Sequence, residues 1–347
     1  MAKLAGVSPA SVTRVFNPNW QMNIRPDIRE KVISAAKELN YTPNAFARIL
    51  AGSKTNLIAI VLGPAIGPYY TQILLQFVYK LQQHQKQLLP FSMVSGMSYR
   101  EVFEKIKPFR VDAIILTSAA SGIAFEPDET DTPIILFEQV INGLSVHSVS
   151  SDTFSGGKKM AEMLVKNGHR QIAFVSGNGS YSQDFDREYG FVSCMNDFGL
   201  KVWRTESAVY ANYQSGCAAV RRLLAGQEYP EAICCADDVL AMAAIDVARH
   251  EFHLSVPEDI SITGFHDIRE SALPAYELTT MQSPVEVMVD AVVDIIDRLD
   301  TVKDPITINF PMKPVVRRSM KIEDPLYDKM QREWMNSEKD SITMQIF

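Results

Sequence analysis

Two groups of residues have types and spacing suited to chemistry. The first lies in Gly6-Val7-Ser8-Pro9-Ala10-Ser11-Val12-Thr13-Arg14-Val15-Phe16. Ser8, Pro9, Ala10, Ser11 and Arg14 offer short hydroxyls, small side chains and one guanidinium, groups that meet phosphates and base edges. The second group lies further on. Tyr69-Tyr70 carries rings that could stack on a sugar or a base, or could sit half-buried in a capping loop. Arg187, in Asp186-Arg187-Glu188-Tyr189-Gly190, carries a fork suited to hydroxyl pairs or carboxylates, or else a surface charge opening a helix. All of this is binding chemistry. Turnover has little support: no Ser/His/Asp order falls at sheet ends, and Gly177-Asn178-Gly179-Ser180 lacks the Lys-Ser/Thr of a phosphate loop. Cys194, Cys217, Cys234 and Cys235 form no CxxC pair and read as reduced core thiols. No metal, cofactor or enzyme activity is expected. His169 reads as structural, in a helix-to-strand connection.

The elements that position these residues are legible in outline. Gly6 supplies a tight turn, Ser8 caps a second helix and Pro9 fits its first position. Val12, Val15 and Phe16 share one face and are expected to bury against Leu4. Pro26 opens a third helix whose Ile28, Val32, Ala35, Ala36 and Leu39 close a three-helix core. Thr42-Pro43 and Gly52 bracket a short helix with Phe46, Ile49 and Leu50, either a stray connector or a hinge that orders on DNA. From residue 56 apolar runs alternate with amphipathic helices: Leu57–Leu62, Leu88–Val94, Asp112–Thr117 and Pro133–Phe137, then Gln171–Val175, Ala208–Tyr210, Ala232–Ala236 and Ile260–Gly264. The pattern predicts two lobes of doubly wound parallel sheet, with ligands at the strand ends between them.

The chain resembles the lac repressor/galactose repressor family of bacterial transcription regulators. AKLAGVSPASVTRVFN, IRPDIREKVISAAKELNYTPNAFARILAG, NGHRQIAFVSG, RRLLAG, VPEDISITGF and LTTMQSP carry the resemblance, in the family's order, from residue 1 to about 320. It implies a small all-α helix-turn-helix head on an α/β core of periplasmic-binding-protein type I architecture. The chain would cross between lobes more than once, and the last helix and the strand after it would return to the first lobe. It also implies that Ser8, Pro9, Ala10, Ser11 and Arg14 face the operator, with Asn44, Ala47 and the wedge residue Leu50 on the hinge. Arg187 would clamp a small-molecule effector. Asp237 stands where the family commonly has Asn, and His266 where it often has Asp, with Asp267 next. Tyr69, Tyr70, Arg187, Asp237, His266 and Asp267 are therefore the expected effector set, for a polyhydroxylated or acidic metabolite. His266 could equally be a satisfied strand-end histidine.

The expected segments are head 1–41, hinge and linker 42–55, core 56–320 and tail 321–347. Residues 1–55 hold eight Lys and Arg against three Asp and Glu, a net +5 that leaves −12 on the rest of a chain of formal charge −7. A basic head on an acidic body is the footprint of a phosphate-binding module on a soluble carrier. Met1 stands where the family has a branched apolar residue, so helix 1 is expected to be truncated, as when an internal GTG codon is taken as the start. No run of eighteen apolar residues and no signal peptide is read, so a cytoplasmic protein is expected. Leu326, Met330 and Trp334 suggest a short helix in the tail, without leucine heptads. The function expected is a DNA-binding regulator, a repressor working as a homodimer on an operator and tuned by an effector. The alternatives are a small-molecule binder and a regulator with no working effector.

Overall fold

The computed structural model describes residues 1–16, 24–39, 41, 54–63, 67–94, 96–118, 130–141, 144–177, 182–302 and 304–322, with only the backbone for 182–184. The chain divides into two compact units, Met1–Asn56 and Leu57–Phe347.

In the first unit α1 (Ala2–Ala5), α2 (Pro9–Phe16) and α3 (Pro26–Glu38) form the head. Gly6 ends α1 with φ 63°, a left-handed conformation open to glycine at little cost. The Ser8 hydroxyl accepts from the Ser11 backbone N–H at 3.1 Å, and Pro9 opens α2. Ala5, Val15, Val32 and Ala35 form the core, with Met1, Val7, Val12, Phe16, Ile24 and Ile28 packed round it. Two expectations need correction. Leu4 is 49% exposed, because Met1 and Ala5, four residues apart, take the inward face of the single turn. Leu39 is 50% exposed, because it follows the end of α3 and leaves the stripe.

The second unit holds two six-stranded sheets. Lobe 1 runs β1 (Leu57–Leu62), α4 (Pro68–Gln83), β2 (Gln87–Ser92), α5 (Tyr99–Ile106), β3 (Ala113–Thr117), β4 (Ile134–Phe137) and β5 (His147–Asp152). Lobe 2 runs α6 (Thr153–Lys166), β6 (Ile172–Ser176), α7 (Ser182–Asp197), β7 (Thr205–Ser207), α8 (Tyr213–Leu224), β8 (Ala232–Cys235), α9 (Asp238–His250), β9 (Ser261–His266) and β10 (Thr279–Gln282). The chain then returns to lobe 1 with α10 (Val285–Arg298) and β11 (Thr307–Pro311), and ends in lobe 2 with β12 (Lys313–Val315).

The lobe 1 sheet, in the order β11-β5-β4-β3-β1-β2, is wholly parallel. The lobe 2 sheet, β12-β10-β9-β8-β6-β7, is parallel except for β12. Helices cover both faces, so the strands are apolar on both. Ile58, Ile60 and Leu62 pack with α4 and α10, while Ala59 and Val61 pack with α5. Truncating Ile58, Ile60 or Leu62 to alanine costs about 2–5 kcal/mol. On β8, Cys234 and Cys235 fall on opposite faces, and all four cysteines are buried free thiols.

β7 lies at Thr205–Ser207, just ahead of the expected Ala208–Tyr210; it is an edge strand, paired on one side with β6, and needs no apolar run. β5 is central yet polar: Ser148 and Ser150 donate to Thr307 and Asn309 on the neighbouring strand, both at 3.1 Å.

Candidate functional site

In the head, Ser8, Pro9, Ala10 and Arg14 are exposed at and along α2. Ser11 is half-buried, with its hydroxyl 3.0 Å from that of Ser8, so both hydroxyls are tied to the cap. Asn44, Ala47 and Leu50 lie outside the described residues.

In the second unit the polar residues gather where both sheets present their carboxyl strand ends. Tyr69 comes from the start of α4, after β1. Its phenol donates to Glu138, which follows β4, at 2.6 Å. Ser151 on β5 donates to the same carboxyl at 3.1 Å. From lobe 2 come Arg187 on α7, Asp237 capping α9, His266 ending β9 and Ser283 after β10. Arg187 is 1% exposed; it donates to the Ala236 carbonyl and to His266 Nε2, the latter at 3.3 Å, with its guanidinium carbon 4.7 Å from the Phe265 ring centre. The lobes meet in a stack of Tyr69 on His266, centroids 3.8 Å apart and planes at 20°.

Close helix packing seats Arg187. A methyl group at Gly157 on α6 would collide with the Arg187 main-chain oxygen. Only a residue without Cβ lets α7 come that near.

Electrostatics fix the protons. Burial and the Arg187 cation hold His266 well below the usual histidine range, so the ring is neutral. Arg187 can only donate, so Nε2 is the acceptor and Nδ1 carries the proton, which it gives to Ser283 Oγ at 3.2 Å. The Asp237 carboxylate, 3.9 Å from Nε2, therefore faces an acceptor rather than a cation. Its other oxygen accepts from the Val239 N–H at 2.7 Å. Burial first, then Glu138, raises the Tyr69 phenol well above its ordinary value, which keeps it a donor. Glu138 and His266 also have φ of 61° and 102°, conformations costly outside glycine that gather at ligand clamps.

Of the expected effector residues, Tyr69, Arg187, Asp237 and His266 come together. Tyr70 stands beside Tyr69 with its hydroxyl 2.6 Å from that of Ser118. Asp267 does not join them: it accepts from Arg317 at 2.6 Å and from Gln282 at 2.8 Å.

Two residues were missed. Glu138 directly follows an apolar strand, and that placement was the available signal. Asp238 is fully buried and accepts from Thr280 at 2.6 Å, the Ile268 N–H at 2.9 Å and Ser271 at 2.8 Å; burial pushes its carboxyl up to about 8. His169 is buried in its turn, bonded to Leu164 O and Ser261 Oγ. Among the described residues no group of three or more His, Cys, Asp or Glu could hold a metal ion.

Comparison with known proteins adds the lineage. Residues 1–44 match the family model "Bacterial regulatory proteins, lacI family", and residues 161–320 match a periplasmic binding protein-like domain. The transcriptional regulator DegA of Bacillus subtilis (strain 168) is 32% identical over 301 residues, covering 83% of this chain and 86% of that protein. The transcriptional repressor PurR of Pasteurella multocida (strain Pm70) is 28% identical over 336 residues, covering 92% and 97%. Among solved structures, a lac repressor dimer bound to operator and the anti-inducer ONPF aligns with TM-score 0.80 at 24% identity, over 92% of this chain and 97% of that one. A complex of the transcriptional regulator CelR with cellobiose aligns with TM-score 0.69 at 25% identity, over 92% and 98%. With a helix-turn-helix head, two parallel-sheet lobes and these relatives, the chain belongs to the lacI family of bacterial regulatory proteins and is a DNA-binding transcription regulator.

Proposed function

We propose that this protein is a cytoplasmic repressor that binds a palindromic operator as a homodimer, and that a sugar or sugar acid held between its lobes sets operator affinity. The observation that carries the reading is the convergence of Arg187 and His266 from one lobe on Tyr69 and Glu138 from the other, at the strand ends of both sheets. Two-fold symmetric operators call for two heads, and the lac repressor neighbour is a dimer on its operator. The CelR neighbour holds a disaccharide, which supports the ligand class. On the head, Ser8, Pro9, Ala10, Ser11 and Arg14 serve the major groove, and Asn44, Ala47 and Leu50 the minor groove. The effector acts by binding one arrangement of the lobes better than the other. No helix among the described residues is long and apolar enough to cross a membrane.

Turnover forms no part of this reading. Ser283 and His266 are in contact, but the imidazole already carries its proton on the nitrogen facing that hydroxyl, so it cannot act as base there. Footprinting the purified full-length protein on its own upstream region tests the proposal. A protected palindrome whose occupancy changes with a metabolite is expected; no preference over scrambled duplex overturns it.

A further inference from the structure

Two hydrogen-bonded groups, one from each lobe, meet across the cleft at the stack of Tyr69 on His266. Arg187 donates to His266 Nε2 at 3.3 Å, and His266 Nδ1 donates to Ser283 at 3.2 Å. Across the cleft Tyr69, stacked on His266 with centroids 3.8 Å apart, donates to Glu138 at 2.6 Å. A guanidinium stands at the lobe 2 end and a carboxyl at the lobe 1 end, with the ring stack between them. The site is thus polarised, and its middle is filled by the protein's own ring and hydroxyls. Tyr69 is 4% exposed and Glu138 0%, so neither end of this segment meets its partner through solvent.

We propose that Tyr69 holds the place of the effector in this chain, and that Glu138 is the group that selects it. The effector is then a polyhydroxylated acid bound in one orientation: a hydroxyl donates to Glu138 and a carboxylate accepts from the Arg187 side. A ligand entering the cleft must replace the phenol donor at Glu138, since a buried acceptor stripped of its donor is costly. It must also offer an acceptor at the opposite end, where Arg187 uses the neutral imidazole as one. A diacid without hydroxyls would place an acceptor against Glu138 and is rejected. A neutral sugar satisfies Glu138 but forgoes the charge-assisted bonds at Arg187. The proposal rests on the cleft being the effector site.

Three six-carbon probes test it by calorimetry on the full-length protein: D-gluconate, D-glucose and adipate. Gluconate is expected to bind about tenfold or more tightly than either of the others. Glu138→Gln should weaken gluconate about tenfold while easing the exclusion of adipate. Tyr69→Phe keeps the ring, removes the competing donor and should strengthen gluconate binding several-fold; it also keeps the test alive if Glu138→Gln does not fold. Adipate binding as well as gluconate, no binding of any probe, an unchanged gluconate-to-adipate ratio in Glu138→Gln, or weaker gluconate binding in Tyr69→Phe would each overturn the proposal. Operator anisotropy measured in parallel separates it from the wider reading. Gluconate bound without effect on operator affinity removes the effector role and leaves the ligand assignment. Glucose or adipate shifting operator affinity where gluconate does not leaves the effector role and removes the assignment.

Discussion

The imidazole of His266 lies flat against the ring of Tyr69, 3.8 Å between centroids, although the two residues belong to different lobes. The same tyrosine bonds to Glu138, so one side chain of α4 touches both halves of the cleft. Parting this pair removes a contact between the lobes, and an effector that favours one arrangement of the lobes needs such a contact to act on.

The hinge can be tested alone. Leu50→Ala should weaken specific operator binding about tenfold or more, as expected for loss of an apolar wedge, and leave ligand binding in the cleft unchanged. Gel shift and calorimetry on one preparation check both. Equal operator affinity would remove the wedge.

Arg14→Ala asks whether that guanidinium meets phosphate or base. A phosphate contact predicts weaker binding to all sequences and a slope of log affinity against log salt that falls by about 1. An unchanged slope with altered sequence preference would assign Arg14 to base readout.

The neutral state of His266 has a pH signature. Its folded pKa is depressed, so the unfolded chain binds the proton more readily. The stability linked to it is complete above about pH 6.5 and is lost as pH falls below that value. Asp238 acts in the opposite sense: raised to about 8, its linked stability is complete below about pH 4 and is lost as pH rises through 8. Because the two trends overlap, variants are the readout. The stability advantage of wild type over His266→Gln should shrink between about pH 7.5 and 5.5 in denaturant titrations. An advantage independent of pH would contradict a neutral imidazole.

Gly157→Ala should force α6 from α7 at the Arg187 carbonyl. A cost of about 1–3 kcal/mol in core stability is expected, with weaker ligand binding and normal operator binding by the head. Wild-type affinity for the cleft ligand would show that the crossing does not hold Arg187 in place.

What the sequence made legible was local. Gly6, Ser8 and Pro9 act on residues within a few positions, so turn, cap and first turn could be read directly. Alternating apolar runs and helices disclosed the parallel sheets, because strands covered on both faces must be apolar throughout. The illegible parts depend on distant partners. Glu138 matters because Tyr69, 69 positions earlier, reaches it, and Asp238 because Thr280, 42 positions later, donates to it. β5 hid behind serines whose partners lie 159 residues away. Asp267 looked available until Arg317 was seen beside it.

The return of α10 and β11 to lobe 1 orders events during synthesis. The head is complete once residue 39 has left the ribosome, but the first lobe still wants its sixth strand at 307–311 after most of the second has been translated. The nascent chain must carry β5 with a bare edge through that interval. A stop codon anywhere upstream of Thr307 would release a product with that edge unpaired.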